Sequence, residues 1–264
     1  MNGLKFTDEA AGRLEKFYRT KDIVTQRLET IRHLNLTGGE SVLDIGCGPG
    51  FLCESMSEIV GRNGAVVGID ISADLVALCN RRKHPTWLSY EIGDATKLNQ
   101  TDASFDVVVC TQVAEYITDV DSVLSEAFRV LKPNGRTLFL ATDWDAVVWF
   151  SDNPMRMAAV MKSWAAHCAH PRLPRSMAYR LKNAEFQLDD VVVFSFLNLQ
   201  YDDDSYSKGL AQFIRNFAGG KDDVSASDLI EWHNEFESLN AAGRYFFSSN
   251  RYIFKASKRA ANRP

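Results

Sequence analysis

Four short apolar runs, at residues 42–45, 65–69, 105–110 and 137–141, are spaced through the first half of the chain with helical stretches between them. This alternation constrains the fold more than any other feature. Apolar runs without polar alternation are what a strand covered on both faces requires. The intervening segments 51–60, 73–82 and 120–131 carry apolar residues at helical spacing, and a weaker strand signal covers 87–92. Strand and helix at this rhythm predict right-handed βαβ units in an open, mostly parallel sheet. In "LKPNG", before Thr137, a helix stops and a turn feeds the next strand.

On either side the texture differs. Residues 10–34 read as one or two amphipathic helices, ended by "LTGGE". Beyond Ala141 the pattern predicts a strand end, a loop and an amphipathic helix over 154–168, closed by His-Pro and Leu-Pro. A strand follows at 191–197, then helices near 205–217 and 225–239. The second of these opens with Ser225 and Asp228 in capping-box positions. "GRYFFSSNRYIFKA" predicts two strand pieces around a bend. The elements after Val191 are too few for a separate domain.

Composition narrows the function classes. A net charge of −4 leaves no electrostatic footprint for nucleic acid, and the basic tail "KASKRAANRP" reads as a solvated end. The five cysteines are odd in number and form no CxxC pair, which fits free thiols in a reducing compartment. The polar start of the chain is unlike a secretory signal, and no apolar run approaches a membrane span. A soluble, cytoplasmic protein is expected.

The stretch "VLDIGCGPGFL" carries the chemistry. A dinucleotide fingerprint needs a third glycine at residue 51, where Phe51 stands; the pattern is G-x-G-x-G. A nicotinamide oxidoreductase is thereby disfavoured. Asp44, two residues before Gly46, is an awkward neighbour for a pyrophosphate and a good one for a cation. Asp70 ends the second strand, where a carboxylate can take both hydroxyls of a ribose, and Asp94 ends the third, where it can meet an adenine amino group. An adenosine with a cationic, amino-acid-like end satisfies the set. S-adenosylmethionine is such a ligand.

"VLDIGCGPG", "VVGID", "EIGDA", "FDVVVCTQVAEYITD" and "EAFRVLKPNGRTLFL" together resemble the successive motifs of class I S-adenosylmethionine-dependent methyltransferases, over roughly residues 41–140. The flavour is similar to the small-molecule enzymes of ubiquinone and menaquinone biosynthesis. The resemblance implies a Rossmann-like α/β fold with a seven-stranded, mostly parallel sheet whose last strand is antiparallel. It implies one domain over 1–264: a helical lid at 1–36, a cofactor-binding core at 37–142, and substrate-covering helices with the final strands at 143–264. Gly46 and Gly48 would line the methionine part, Asp70 the ribose, Ile71 the adenine face, and Asp94 with Ala95 its edge. The backbone at Thr111 and Gln112 would meet the methionine amine. Tyr18, Gln26 and Arg27 would cover the cofactor from the lid, with Arg27 on the methionine carboxylate.

Methyl transfer from a sulfonium is an in-line displacement with a good leaving group, so alignment and exclusion of water matter most. A covered pocket is therefore expected more than a triad. Trp144, Trp149, Phe150 and Trp164 supply aromatic cover, which suits an aromatic or apolar small-molecule acceptor. If the acceptor must lose a proton, His167 or His170 is the expected base. Glu115 and Tyr116 follow the fourth strand and are expected to touch the acceptor. Asp143 and Asp145 flank Trp144 and could bind a polar group of the acceptor or a divalent metal; they lack a third ligand, so no metal is expected. Arg172 and Arg175 could hold an anionic group. "CTQV" in place of [DN]PP[YFW], and the absence of a Pro-Cys motif, argue against nucleic-acid methylation. The cysteine arrangement argues against thiolate chemistry of the arsenite type. The expected activity is methyl transfer to O, N or C of a small organic acceptor; a cofactor-binding module of the same fold without transfer is the alternative.

Overall fold

The computed structural model describes residues 8–219 and 224–260. The first seven residues of the expected lid and the last four of the basic tail lie outside them. The strands are β1 (Ser41–Ile45), β2 (Ala65–Asp70), β3 (Leu88–Ile92), β4 (Phe105–Thr111), β5 (Leu131–Thr142), β6 (Val148–Trp149), β7 (Gln187–Asn198) and β8 (Phe247–Ser257). The order is β3-β2-β1-β4-β5-β8, with β7 on the far side of β8. The first five strands are mutually parallel, and β8 runs antiparallel to β5 and β7. This is the expected seven-stranded, mostly parallel sheet with an antiparallel last strand. The eighth, two-residue β6 is an addition: it pairs with the start of β8 beyond the end of β5.

Side chains alternate between two apolar layers, as the strand period of two requires. Val42, Val107, Val109, Leu138, Leu140 and Ile253 face one layer, covered by α2 (Lys21–Leu34), α3 (Phe51–Val60) and α4 (Ala73–Arg81). Leu43, Ile45, Val108, Cys110, Phe139 and Phe254 face the other, covered by α5 (Val120–Val130) and α7 (Pro174–Asn183). The first helix, α1 (Asp8–Tyr18), precedes α2. A third, aromatic-rich cluster joins α6 (Pro154–Ala165), α8 (Tyr206–Ala218) and α9 (Ala226–Ala241) to β6. Ser225 caps α9: Asp228 N donates to its hydroxyl at 3.0 Å, and that hydroxyl, in place of the Ser225 N–H of a capping box, donates to the Asp228 carboxylate at 2.6 Å.

Three elements differ from the sequence reading. β5 begins at Leu131, and the expected turn is an outward bulge inside it: the register jumps from Phe105↔Leu131 to Val107↔Arg136, with Asn134 at φ 65. β8 is one unbroken strand of 11 residues, not two pieces around a bend. Its pairing to both neighbours holds straight a sequence whose Ser and Asn residues look like a turn. Helix α7 was not anticipated, because its two prolines flank a loop and its N-terminus rather than ending a helix.

Candidate active site

The chain leaves β1 and turns through five residues into α3. Gly46 and Gly48 have φ of 73 and 54, in the left-handed region that glycine enters without strain. The Gly46 and Cys47 N–H groups both donate to the Ile69 carbonyl at 2.8 Å, folding the loop over the end of β2. A Cβ on Gly46 would stand 2.2 Å from a Val113 methyl, so the loop packs against the segment after β4 too closely for any side chain. At Gly48 the nearest atom to such a Cβ is the Tyr18 hydroxyl, 3.9 Å away, so this glycine faces open space beneath the end of α1.

Asp70 ties the loop together. Its carboxylate accepts from Gly48 N at 2.9 Å and from Ser72 N at 2.8 Å. Burial raises its pKa and these backbone donors oppose the rise. Each oxygen keeps a further acceptor site. Beside it Ile71 is 63 % exposed and Ile92 is 59 % exposed, two aliphatic side chains left uncovered at the strand ends. Asp94 accepts from the Thr96 N–H and hydroxyl, both at 2.8 Å, while the Ala95 side chain belongs to the core.

Tyr18, Gln26, Arg27, Asp44, Gly46 and Thr111 surround a narrow, solvent-open cleft. Asp44 is 1 % exposed at its base. One carboxyl oxygen accepts from the Cys53 thiol at 3.1 Å, and the other, Oδ1, has no hydrogen-bond partner among the described residues. Burial pushes this carboxyl up to about 7. An unpaired buried acceptor is costly unless a donor arrives, and a cationic amine at the cleft supplies one. Arg27 is half-buried, donates to the Tyr18 carbonyl at 3.3 Å, and lies over the Phe51 ring. Helix α1 is tied to α3 by Arg82, which bonds Glu15 of α1 at 2.9 Å and Glu54 of α3 at 2.8 Å.

The segment after β4 forms the inner wall. Gln112 sits at φ 57; its amide donates to Glu115 at 2.9 Å and its carbonyl accepts from the Thr142 hydroxyl at 2.8 Å. Glu115 is fully buried, and burial pushes it up to about 7. The His170 N–H donates to the Glu115 carbonyl at 2.8 Å, and His170 Nε2 meets the Thr118 carbonyl at 3.0 Å, so this histidine fastens the wall. His167 stacks on Trp164 with ring centroids 3.7 Å apart, and Trp144 and Tyr116 stand edge-on to it at 4.7 and 5.6 Å. His167 Nδ1 lies 2.6 Å from the Trp164 carbonyl. A carbonyl only accepts, so His167 Nδ1 carries a proton toward it.

Two expected acceptor residues stand elsewhere. Asp143 is held by Arg175 at 2.7 and 3.0 Å, in a cluster with Asp145 and Arg172. Trp149 stacks on Phe236 with centroids 4.5 Å apart, inside the aromatic layer. No group of residues able to hold a metal occurs among the described residues. The sequence reading missed Arg251 on β8, a buried cation bonded to Gln26 and Tyr206. Its only signal was an arginine at the same two-residue spacing as Phe247 and Ile253 of β8.

Residues 36–183, more than half of the chain, match a family described as a methyltransferase domain. The chain is 32 % identical over 127 residues to a demethylmenaquinone methyltransferase of Oceanobacillus iheyensis, covering 47 % of this chain and 53 % of that protein. It is 32 % identical over 130 residues to a ubiquinone biosynthesis O-methyltransferase of Pseudomonas fluorescens, covering 48 % and 55 %. The match thus spans about half the length of these relatives. Among solved structures, phosphoethanolamine N-methyltransferase 2 of Haemonchus contortus, in complex with S-adenosyl-L-methionine, aligns with a TM-score of 0.63. At 20 % identity, covering 96 % of this chain and 58 % of that one, this likeness is one of fold.

Proposed function

The chain belongs to the methyltransferase-domain family, and from that premise we propose that it moves the methyl group of S-adenosylmethionine to oxygen, nitrogen or carbon of a small organic acceptor. The observation that carries the proposal is Asp44: a buried carboxylate with an unpaired oxygen, at the base of a cleft framed by a glycine loop. A cationic amino-acid end fits it, and a pyrophosphate does not. Asp44 would take the ammonium group and Arg27 the carboxylate of the methionine part, beside the backbone of Gly46, Gly48, Thr111 and Gln112. Asp70 would accept from the ribose hydroxyls, Ile71 would pack on the adenine, and Asp94 with Ala95 would bind its edge.

When bound, S-adenosylmethionine supplies an electrophilic methyl on a sulfonium, with S-adenosylhomocysteine as the product. The chain's own work is to align the acceptor and exclude water. Tyr18 and the lid helices close the cleft from above. Glu115, Tyr116 and Trp144 would form the acceptor wall, with Asp143 and Trp149 supporting it from behind. His167, set among Trp164, Trp144 and Tyr116, would take the proton of a hydroxyl or ammonium acceptor; His170 holds the loop. The aromatic wall favours an aromatic or apolar acceptor. Five cysteines, all free and buried, fit a reducing cytoplasm. No helix among the described residues is long and apolar enough to cross a membrane.

Calorimetric titration with S-adenosylhomocysteine tests the cofactor reading, and transfer of a labelled methyl group to phenol and quinol acceptors tests the reaction. Asp70→Ala is expected to weaken cofactor binding by roughly 1–3 kcal/mol through lost charge-assisted hydrogen bonds. Unchanged affinity would remove Asp70 from the site. Binding without transfer to any acceptor would favour the cofactor-binding module.

A further inference from the structure

Arg251 sits where β8 passes the end of β5, paired with Thr142 on one side and with Phe194 of β7 on the other. It is 5 % exposed. Its guanidinium is held by neutral groups. Nη1 donates to the side-chain carbonyl of Gln26, Nη2 donates to the Tyr206 hydroxyl at 3.1 Å, and the Phe196 and Tyr206 rings lie 4.8 and 4.9 Å away. No ion pair joins it to a carboxylate among the described residues, and its Nε–H has no hydrogen-bond partner there. The contrast with Arg82, Arg129 and Arg156 is sharp: each is shielded, and each pairs with two carboxylates.

A guanidinium removed from water is tolerated when an anion meets it, and its planar fork suits a carboxylate or phosphate in two-point contact. Two of five N–H donors are used, so Nε–H and one N–H on each Nη remain. The residue lies one hydrogen bond from the cleft, because Gln26 lines that cleft. It also stands beyond the carboxyl ends of the parallel strands, where ligands of such sheets gather. Glu115, the carboxyl in electrostatic reach, is kept partly protonated by its burial, so it neutralises Arg251 only in part.

We propose that Arg251 anchors an acidic group of the acceptor, a carboxylate or phosphate that reaches it from the cleft lined by Gln26. This rests on the methyltransferase reading and narrows its substrate class to anionic acceptors. The cofactor's own carboxylate is the other source of such an anion, and Arg27, on the cleft itself, is the residue placed for it.

The test is calorimetry on the full chain, with and without saturating S-adenosylhomocysteine, using benzoate, phenyl phosphate and the neutral isostere benzamide as probes. Wild type is expected to bind benzoate or phenyl phosphate at least about tenfold tighter than benzamide. Arg251→Gln is expected to abolish that preference while changing S-adenosylhomocysteine affinity less than about twofold. Arg251→Lys, a point charge in place of a fork, should weaken the anionic probe and leave benzamide unchanged; it decides the matter if the glutamine variant does not fold. No preference in wild type, or a preference kept in both variants, overturns the proposal. So does a loss confined to S-adenosylhomocysteine, which would give Arg251 to the cofactor. Wild type that binds no S-adenosylhomocysteine strikes the methyltransferase reading instead, and the probe preference is read separately.

Discussion

Replacing Gly46 with alanine sets a methyl group where Val113 already stands. Two contributions add. Gly46 has φ 73, and an L-residue in that region is strained by about 1–2 kcal/mol. The new Cβ would lie 2.2 and 2.7 Å from the two Val113 methyls and 3.0 Å from its Cβ. Rotating Val113 moves its methyls but not its Cβ, so the backbone must shift as well, and overpacking of this kind costs about 1–3 kcal/mol. The variant should therefore lose about 2–5 kcal/mol, a large share of the roughly 5–15 kcal/mol that holds a domain together. Urea melts without ligand measure the loss, and Val113→Ala apportions it. In the double variant the methyl clash is gone and the φ strain stays, so the two substitutions should show a favourable coupling of about 1–3 kcal/mol. A loss below about 0.5 kcal/mol in Gly46→Ala, or no coupling to Val113→Ala, would refute the packing argument.

Asp44 carries a pH signature. Its folded pKa, about 7, lies above its ordinary 3.8, so the native state keeps a proton that the unfolded chain releases. That contribution is full below the unfolded value and is lost as pH rises from about 4 to 7, on the order of 4 kcal/mol in all. Asp44→Asn should flatten the pH dependence and be more stable than wild type at pH ~8, while binding S-adenosylmethionine more weakly. A stability difference between variant and wild type that is the same at both ends of the window would sink this account. For the base, His167→Ala should lower turnover by about 10²–10⁴-fold with cofactor affinity kept. His170→Ala, which releases the Thr118 carbonyl, should instead lower the melting temperature with a smaller effect on turnover; the reverse pattern would exchange their roles.

How far these residues could be read in advance varied along the chain, for physical reasons. β1, β2, β4 and α3 to α5 fall within a residue or two of the apolar runs, because strands buried on both faces leave few polar residues to confuse the period. Asp44, Asp70 and Asp94 were legible for a related reason: a tight strand-to-helix loop demands glycine, and the acids stand at fixed offsets from the strand ends. Helix α7 was hidden, since its buried Met177 and Leu181 are set among Arg175, Arg180 and Lys182 behind two prolines. β8 was half hidden, because Ser249 and Arg251, both buried, stand between Phe247 and Ile253 on its buried face. Arg251 could not be placed from its neighbours in sequence at all. Its partners Gln26 and Tyr206 are 225 and 45 positions away, and only the folded sheet brings them together.

The position of β8 has a consequence for how the chain reaches this structure. It follows every other described strand in the sequence, yet it lies between β5 and β7. Until residue 257 is available, β5 and β7 each present an unpaired edge, and such edges are templates for self-association. The five parallel strands and the glycine loop can assemble from local βαβ units, whereas seating β8 requires the slow, non-local closure that limits folding rates. A chain interrupted before β8 would thus hold a nascent cofactor-binding half and two adhesive edges, a combination that calls for chaperone protection during translation.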